Sequence, residues 1–398
     1  MHSPNSMSGT SAFAYGIRTL SKSPGFTFAV LFSLALGIGA NAAIYSVVNG
    51  LLFHPAGIGR PETLVTPRVS YKKFGLNRIS VSATDFADVR NSKQIFSRAA
   101  MEYPEGFNYT SGDSPQRLEG AMVTWQWFDV FGRRPLLGHG FVRQEDQPGA
   151  NHVAVLSYGT WKRLFGGDRH ILGRAIELDN TAYRVIGVMP SDFRQPAEAD
   201  LWVPIGLPPK AYGPGNRLNE GFFAVARVAP GVSYARAASK MQALSNRVLD
   251  QVPYARGAQW SMVIEPFTEY ASGDLKTPML ILLGAVGLVL LIACCNIAGL
   301  MLVRGTSRAR ELAIRSALGA SRGALIRQAL AETSLLALVG TALGLAAAYW
   351  ILAGLLSLAH TQLSSGMLLQ IDGHVLAFTA GVGIVSAILF GLVPAWHI

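Results

Sequence analysis

RGTSRARELAIRSALGASRGALIRQALAE, residues Arg304 to Glu332, separates two long apolar runs and is itself basic, amphipathic and punctuated by glycine. Up to residue 328 it carries Arg304, Arg308, Arg310, Arg315, Arg322 and Arg327 against a single acid, Glu311. Arginines concentrated beside an apolar run mark the cytoplasmic face of a membrane. In helical geometry Arg308, Glu311 and Arg315 share one face, where opposite charges lend a few tenths of a kcal/mol. Ala313, Ile314, Ala317 and Leu318 form an apolar stripe on another side, and Gly319 is placed to stop the helix in a left-handed cap. A partner could dock on that stripe; a basic loop held against anionic headgroups is the competing reading.

The rest of the composition supports a membrane setting. Half of the residues are apolar, 15% are charged, and mean hydropathy is +0.30. Four blocks reach the ~20 residues that cross a bilayer: Phe26 to Phe53, Pro278 to Val303, Ala329 to Leu356 and Val375 to Trp396, none with an internal Lys or Arg. The expected fold is therefore an integral membrane protein with four transmembrane α-helices and a large α+β extracytoplasmic domain inserted between helices 1 and 2. The expected layout is a cytoplasmic amphipathic segment at 1–25, a first span at 26–53 and an outer domain at 54–277. A second span at 278–303, a cytoplasmic loop at 304–328, a third span at 329–356, a short outer loop at 357–374 and a fourth span at 375–396 follow. The 357–374 loop lacks Lys and Arg, so the charge bias sends both chain ends to the cytoplasm.

The first span imitates a cleavable secretory signal, with Arg18 and Lys22 before an apolar core and Ala40-Asn41-Ala42 within it. Apolar residues continue through Leu52, well past the ~7 to 15 of a signal core, so it reads as a retained anchor. Phe13, Ile17 and Leu20 before it form the apolar side of a short interfacial helix.

Outside the membrane, β-branched and aromatic runs predict strands at His152–Leu156, Tyr183–Met189, Leu201–Ile205, Phe222–Val228 and Ser261–Pro266. Helices are predicted at Ala83–Phe96, Thr124–Phe131, Tyr158–Phe165 and Tyr234–Val252. Pro and Gly around 190–196 and 207–215 mark loops or a seam between two subdomains.

The search for chemistry excludes several classes. No G-x-x-x-x-G-K-[ST] phosphate loop is present, so no ATP or Mg site is expected in this chain. Gly37-Ile38-Gly39-Ala40-Asn41-Ala42 fits a dinucleotide pattern but lies inside a span with no preceding strand. Its glycines, with Gly340 and Gly344, read as positions of close helix approach. Asn41 and Asn296 are polar groups at membrane depth, read as interhelical hydrogen-bond partners in preference to a substrate path. Ser157 lies in no nucleophile elbow, and no catalytic residue is assigned. The acids Asp85, Asp88, Glu145, Asp146, Asp168, Asp179 and Asp192 show no paired spacing, and His139, His152 and His170 have no ligand-spaced neighbour, so no metal site is expected. Cys294 and Cys295, adjacent in an apolar span, read as packing residues. The net charge of +10 comes with no aromatic-basic motif, which argues against nucleic acid. Asn108-Tyr109-Thr110 is a lone glycosylation match.

Several segments together resemble the permeases of the macrolide-exporter and FtsX-like class of ABC transporters, and more narrowly the duplicated orphan permeases of acidobacteria. They are Ser23 to Pro55, Gly132 to Phe193, DLWVPI at Asp200 to Ile205, RVAPGVSYARA at Arg227 to Ala237, RARELAIRSALGASRGALIRQ at Arg308 to Gln328, and GLVPAW at Gly391 to Trp396. The resemblance implies a non-catalytic permease subunit working by mechanotransmission in efflux or extrusion, with ATP and Mg bound by a separate cytoplasmic ABC ATPase. It implies that Arg308, Glu311, Ile314, Arg315, Leu318 and Gly319 belong to the helix that contacts the ATPase. Polar contacts are expected from Glu311 and Arg315, apolar knobs from Ile314 and Leu318, and the turn from Gly319. Expected partners are a homodimer mate or second permease half meeting near the glycines of the first two spans, a periplasmic adaptor, and membrane lipids. The chain holds one copy of a layout that duplicated members repeat, which corresponds to a half-length or truncated form in the bacterial inner membrane. An FtsX-like regulator recruiting a cell-wall enzyme, or a half-permease inactive in transport, are the alternatives.

Overall fold

The computed structural model describes residues 23–50, 58–111, 115–196, 199–307, 314, 322–359 and 372–396. The helices in chain order are α1 (Pro24–Val48), α2 (Ala83–Asn91), α3 (Trp127–Val130), α4 (Tyr158–Phe165), α5 (Tyr234–Gln251), α6 (Pro253–Gly257), α7 (Phe267–Ser272), α8 (Lys276–Ser307), α9 (Arg322–Ala359) and α10 (Gly373–Trp396). The strands are β1 (Leu64–Tyr71), β2 (Leu76–Ile79), β3 (Val81–Ser82), β4 (Phe96–Tyr109), β5 (Gln116–Val123), β6 (Leu137–Gly138), β7 (Val153–Leu156), β8 (Ala175–Leu178), β9 (Thr181–Val188), β10 (Leu201–Pro204), β11 (Glu220–Val228) and β12 (Trp260–Pro266). Two compact units result: the long helices α1, α8, α9 and α10, and the domain inserted between α1 and α8.

In the inserted domain the strands form one sheet in the order β12-β1-β11-β4-β5-β10-β7-β9-β6, with β2, β3 and β8 paired at its sides. The long β4–β5 hairpin runs through it, registering Glu102 against Val123 at one end and Tyr109 against Gln116 at the other. Pairing is therefore unbroken between the parts that rest on separate cores. One core joins α2 and α5 to the sheet through Phe86, Val89, Met241, Met101 and Trp260. A second gathers Trp127, Phe128, Phe131, Phe193, Trp202 and Phe267, with ring centroids of Phe128 and Trp202 5.6 Å apart in edge-on contact. A third closes over β7, β9 and β10 through Trp161, Ile176 and Val185. Each fully buried aromatic or aliphatic side chain stabilises the fold by about 1.5–3 kcal/mol.

Local signals set the helix starts. Ser82 and Asp85 form a reciprocal capping box on α2, Ser157 accepts the Thr160 amide at the start of α4, and Ser233 accepts that of Arg236 on α5. Two predicted helices are shorter than the periodicity indicated. Helix α2 stops at Asn91, where the Ser92 hydroxyl turns back to the Asp88 carbonyl, and Phe96 instead opens β4. Helix α3 begins three residues late because the Thr124 hydroxyl accepts the Met101 amide and holds the chain against β4.

Among the described residues, Pro24–Val48, Lys276–Val303, Ala331–Leu355 and Gly373–Phe390 are long and apolar enough to cross a membrane. Pro24 sits in the first turn of α1, where its missing N–H costs nothing. Helix α1 packs most extensively on α9, and its Val30, Leu34 and Ile38 share a core with Ile297 of α8, Leu336 of α9 and Phe390 of α10.

Candidate functional site

Small residues bring α1 and α9 into backbone contact. A Cβ added to Gly39 would lie 2.9 Å from the Gly344 carbonyl oxygen, and one on Gly344 would lie 2.9 Å from Cβ of Ile38. A Cβ on Gly340 would meet Leu34 at 2.8 Å, and one on Gly37 would meet Leu290 of α8 at the same distance. Gly37 and Gly39 of the first span are thus spent on packing within the chain. In the second span, by contrast, Gly284 and Gly299 face open space.

Asn41 is buried at the same crossing, and its amide donates to the Gly37 carbonyl at 2.9 Å and to the Val286 carbonyl of α8 at 3.0 Å. A polar group that lipid cannot solvate is so satisfied inside the bundle. Asn296, its counterpart on α8, is exposed, with no side-chain hydrogen bond among the described residues. At the far end of α1 the Asn49 amide donates to Asp372 at 3.1 Å, while Asp372 also accepts the Val375 amide at 2.9 Å and caps α10. Tyr45 and Phe378 stack nearby with centroids 3.9 Å apart.

Of the predicted ATPase-contacting residues, Arg308, Glu311, Arg315, Leu318 and Gly319 lie outside the described residues. Ile314 is described; it is helical and 56% exposed, which leaves an apolar side chain uncovered between two strongly basic flanks.

The inserted domain uses its charged groups as internal ties, which sequence spacing did not reveal. Arg227 is buried and donates to the carbonyls of Val130, Gly59 and Arg60 at 2.7–3.0 Å and to the Thr63 hydroxyl, with no carboxylate in ion-pair range among the described residues. Burial pulls its pKa down. The only sequence hint is a charge inside the apolar strand FFAVARV. Arg217 joins the capping-box acid Asp85 to Asp88 and lies over the Trp260 ring. Burial raises Asp85 to about 6 despite Arg217 and Ser82. Glu102 is buried on β4 with one oxygen unpartnered among the described residues, and desolvation alone raises it to about 7. The other acids noted in the sequence also serve structure. Asp146 accepts the Trp125 and Gly206 amides, Asp179 accepts from Asn108, and Asp192 pairs with Arg133.

An open cleft of about 270 Å³ lies among Trp125, Phe128, Arg133, Arg134, His139 and Phe141, smaller than a typical organic-ligand pocket. No group of three or more His, Cys, Asp or Glu able to hold a metal ion occurs among the described residues.

Four apolar helices, with a large α/β domain inserted after the first, define the class of a multi-pass membrane protein. The chain belongs to the family of the MacB-like periplasmic core domain, which matches residues 27–244, and residues 283–398 match the FtsX-like permease C-terminal domain. Among similar proteins, the macrolide export ATP-binding/permease protein MacB of Campylobacter jejuni is 23% identical over 92% of this chain and 54% of its own length. The pyoverdine export ATP-binding/permease protein PvdT of Pseudomonas aeruginosa is 28% identical over 66% of this chain and 38% of its own. The chain thus spans about half or less of these relatives' length. An uncharacterized ABC transporter permease of Bacillus subtilis, YvrN, is 27% identical over 90% of this chain and 84% of its own. The crystal structure of the periplasmic region of MacB from Actinobacillus actinomycetemcomitans aligns with a TM-score of 0.38 at 18% identity, covering 53% of this chain and 90% of that one.

Proposed function

We propose that this chain is the transmembrane subunit of an ABC-type efflux or extrusion transporter that relays ATP-driven motion from a separate ATPase to its outer domain. The observation that carries this reading is the pairing of a MacB-like core match with an FtsX-like permease match in one chain. YvrN, described as a permease and aligned over most of its length, supports a permease separate from its ATPase. In this reading ATP and Mg are bound by the partner, and the exposed Ile314 sits in the contact segment. The chain pairs with a second copy or a second permease half in the bacterial inner membrane, both termini lie in the cytoplasm, and the outer domain engages a periplasmic adaptor.

The test is Ile314→Asp in the full chain, which buries a charge in any apolar contact. Membrane insertion is expected to stay intact while co-purification of the cytoplasmic ATPase is lost. Unchanged recovery of the ATPase overturns the contact, and nucleotide hydrolysis by the purified chain alone overturns the whole assignment.

A further inference from the structure

Arg217 and Arg227 are both buried in the inserted domain, and their charges are answered in opposite ways. Arg217 stands between the carboxylates of Asp85 and Asp88, whereas Arg227 meets carbonyls and a hydroxyl, and its charged neighbours include two further arginines. In the β4–β11 register Arg98 lies directly opposite Arg227, and residues so paired project from the same face of a sheet. That face is the one α3 covers, since Ala100 and Val225, each two residues along, belong to the core of Phe128 and Phe131. The loop at 58–63 closes on the same spot. Nη1 of Arg227 donates to the Arg60 carbonyl at 3.0 Å, and Arg60 is held there in left-handed backbone at φ 51°. Burial first, and then the charges of Arg60 and Arg98, pull the Arg227 pKa down, with Glu62 acting against them. The side chains of Arg60 and Arg98 are exposed and make no ion pair or hydrogen bond among the described residues.

Like charges directly opposite one another on neighbouring strands destabilise a sheet, and a buried charge without a counterion is costlier still. The hydrogen bonds of Arg227 occupy its guanidinium fork but bring no negative charge to the cluster. We propose that Arg60, Arg98 and Arg227 form a binding site for a phosphate oxyanion, with Arg60 and Arg98 as donors and Arg227 as the fixed charge behind them. Guanidinium suits phosphate because its planar fork presents parallel N–H groups to two oxygens. A tetrahedral anion also directs oxygens several ways at once, so it can accept from a loop and a strand together, which a planar carboxylate does less well. Arg227 is a positioning residue in this site: its bonds to the Gly59 and Arg60 carbonyls keep the loop at the cluster. Two sources carry the same chemistry. The loop at 58–63 follows the first span in sequence, so the headgroup of an anionic phospholipid is one, and a soluble phosphate ester is the other.

The experiment uses the full chain in lipid nanodiscs at constant ionic strength, with thermal unfolding of the inserted domain followed by tryptophan fluorescence. Discs of phosphatidylcholine in chloride are compared with the same discs in inorganic phosphate and with discs enriched in phosphatidylglycerol. The variants are Arg60→Gly, which suits the left-handed backbone, and Arg98→Gln; both positions are exposed, so the fold is kept. An anion that binds only the folded domain is expected to raise the parent's Tm by about 2–4 °C, and the variants' by much less. Phosphate also stabilises proteins by exclusion from their surface, so the quantity read is the rise in the parent minus that in each variant. A difference with phosphatidylglycerol alone assigns the lipid headgroup, one with inorganic phosphate alone assigns a soluble ester, and one with both upholds the shared chemistry. Equal rises in parent and variants, or no rise in either condition, overturn the site. In chloride Arg98→Gln is expected to match or exceed the parent, because a repelling charge is gone; a lower Tm there overturns the cluster as an uncompensated one. No ATPase or second copy enters these measurements, so their outcome is independent of the permease reading.

Discussion

Arg217 bridges two carboxylates one helical turn apart, with Nη1 2.5 Å from Asp85 and Nη2 2.8 Å from Asp88 of α2. The guanidinium comes from a loop 132 residues further along and ties it to the start of that helix. Arg217→Met leaves buried charge without its counterion, and unfolding of the inserted domain is expected to become easier by about 3–5 kcal/mol. Adding Asp85→Asn should recover part of the loss in urea titrations of the full chain. Equal stability of the single and double variants would count against the coupling.

Glu102 makes the domain's stability depend on pH. Its folded pKa of about 7 lies above the ordinary 4.5 because burial penalises the anion. The sign follows: below about pH 4.5 the group is neutral folded or unfolded, and stability is lost as pH rises through 7 and the folded state must carry a desolvated charge. Glu102→Gln is expected to raise stability near pH 8 by on the order of 3 kcal/mol and to flatten the pH profile over that window. Asp85, raised to about 6 by burial, leaves a smaller slope of the same sign. Thermal unfolding followed by tryptophan fluorescence at a series of pH values measures both.

The α1–α9 crossing tolerates no side chain. Gly344→Val puts a branched group where Ile38 stands 2.9 Å and the Gly39 nitrogen 3.3 Å from the new Cβ, and should cost about 1–3 kcal/mol or separate the helices. Gly284→Val, at a position with nothing within 4 Å, should be close to neutral. Thermal aggregation in detergent compares the two.

Asn41→Leu removes the tie from α1 to the Val286 carbonyl of α8, and a loss of roughly 0.6–2 kcal/mol is expected. Reactivity of a cysteine introduced at Val286 toward a thiol reagent, unchanged between the variant and its parent, would argue that the helices do not depend on this bond.

Arg227→Lys keeps the charge but not the planar fork that reaches Gly59, Arg60, Thr63 and Val130 together. Each acceptor left unpaired costs about 1–3 kcal/mol. Limited proteolysis is expected to cut within 58–63 in the variant and not in the parent.

How much of this was legible in advance divides along a physical line. Long apolar runs announce membrane helices because the requirement is local, and Ser82, Ser157 and Ser233 announce helix starts for the same reason. The long hairpin strand β4 was missed. Residues 99–102 are covered on both faces, which erases the period-two pattern, and Pro104 and Gly106 within the strand read as turn residues.

From the order of its residues alone, this chain determines four spans, a large mixed domain after the first, and a basic segment between the second and third, since each depends on the composition of a continuous stretch. Only the tertiary structure decided that Gly39 faces Gly344, that Asn41 is buried and hydrogen-bonded while Asn296 is exposed, and that Arg227, Arg217 and Glu102 are buried. Those outcomes depend on partners brought together from distant parts of the chain, and no spacing along the chain encodes which polar group is buried against its complement.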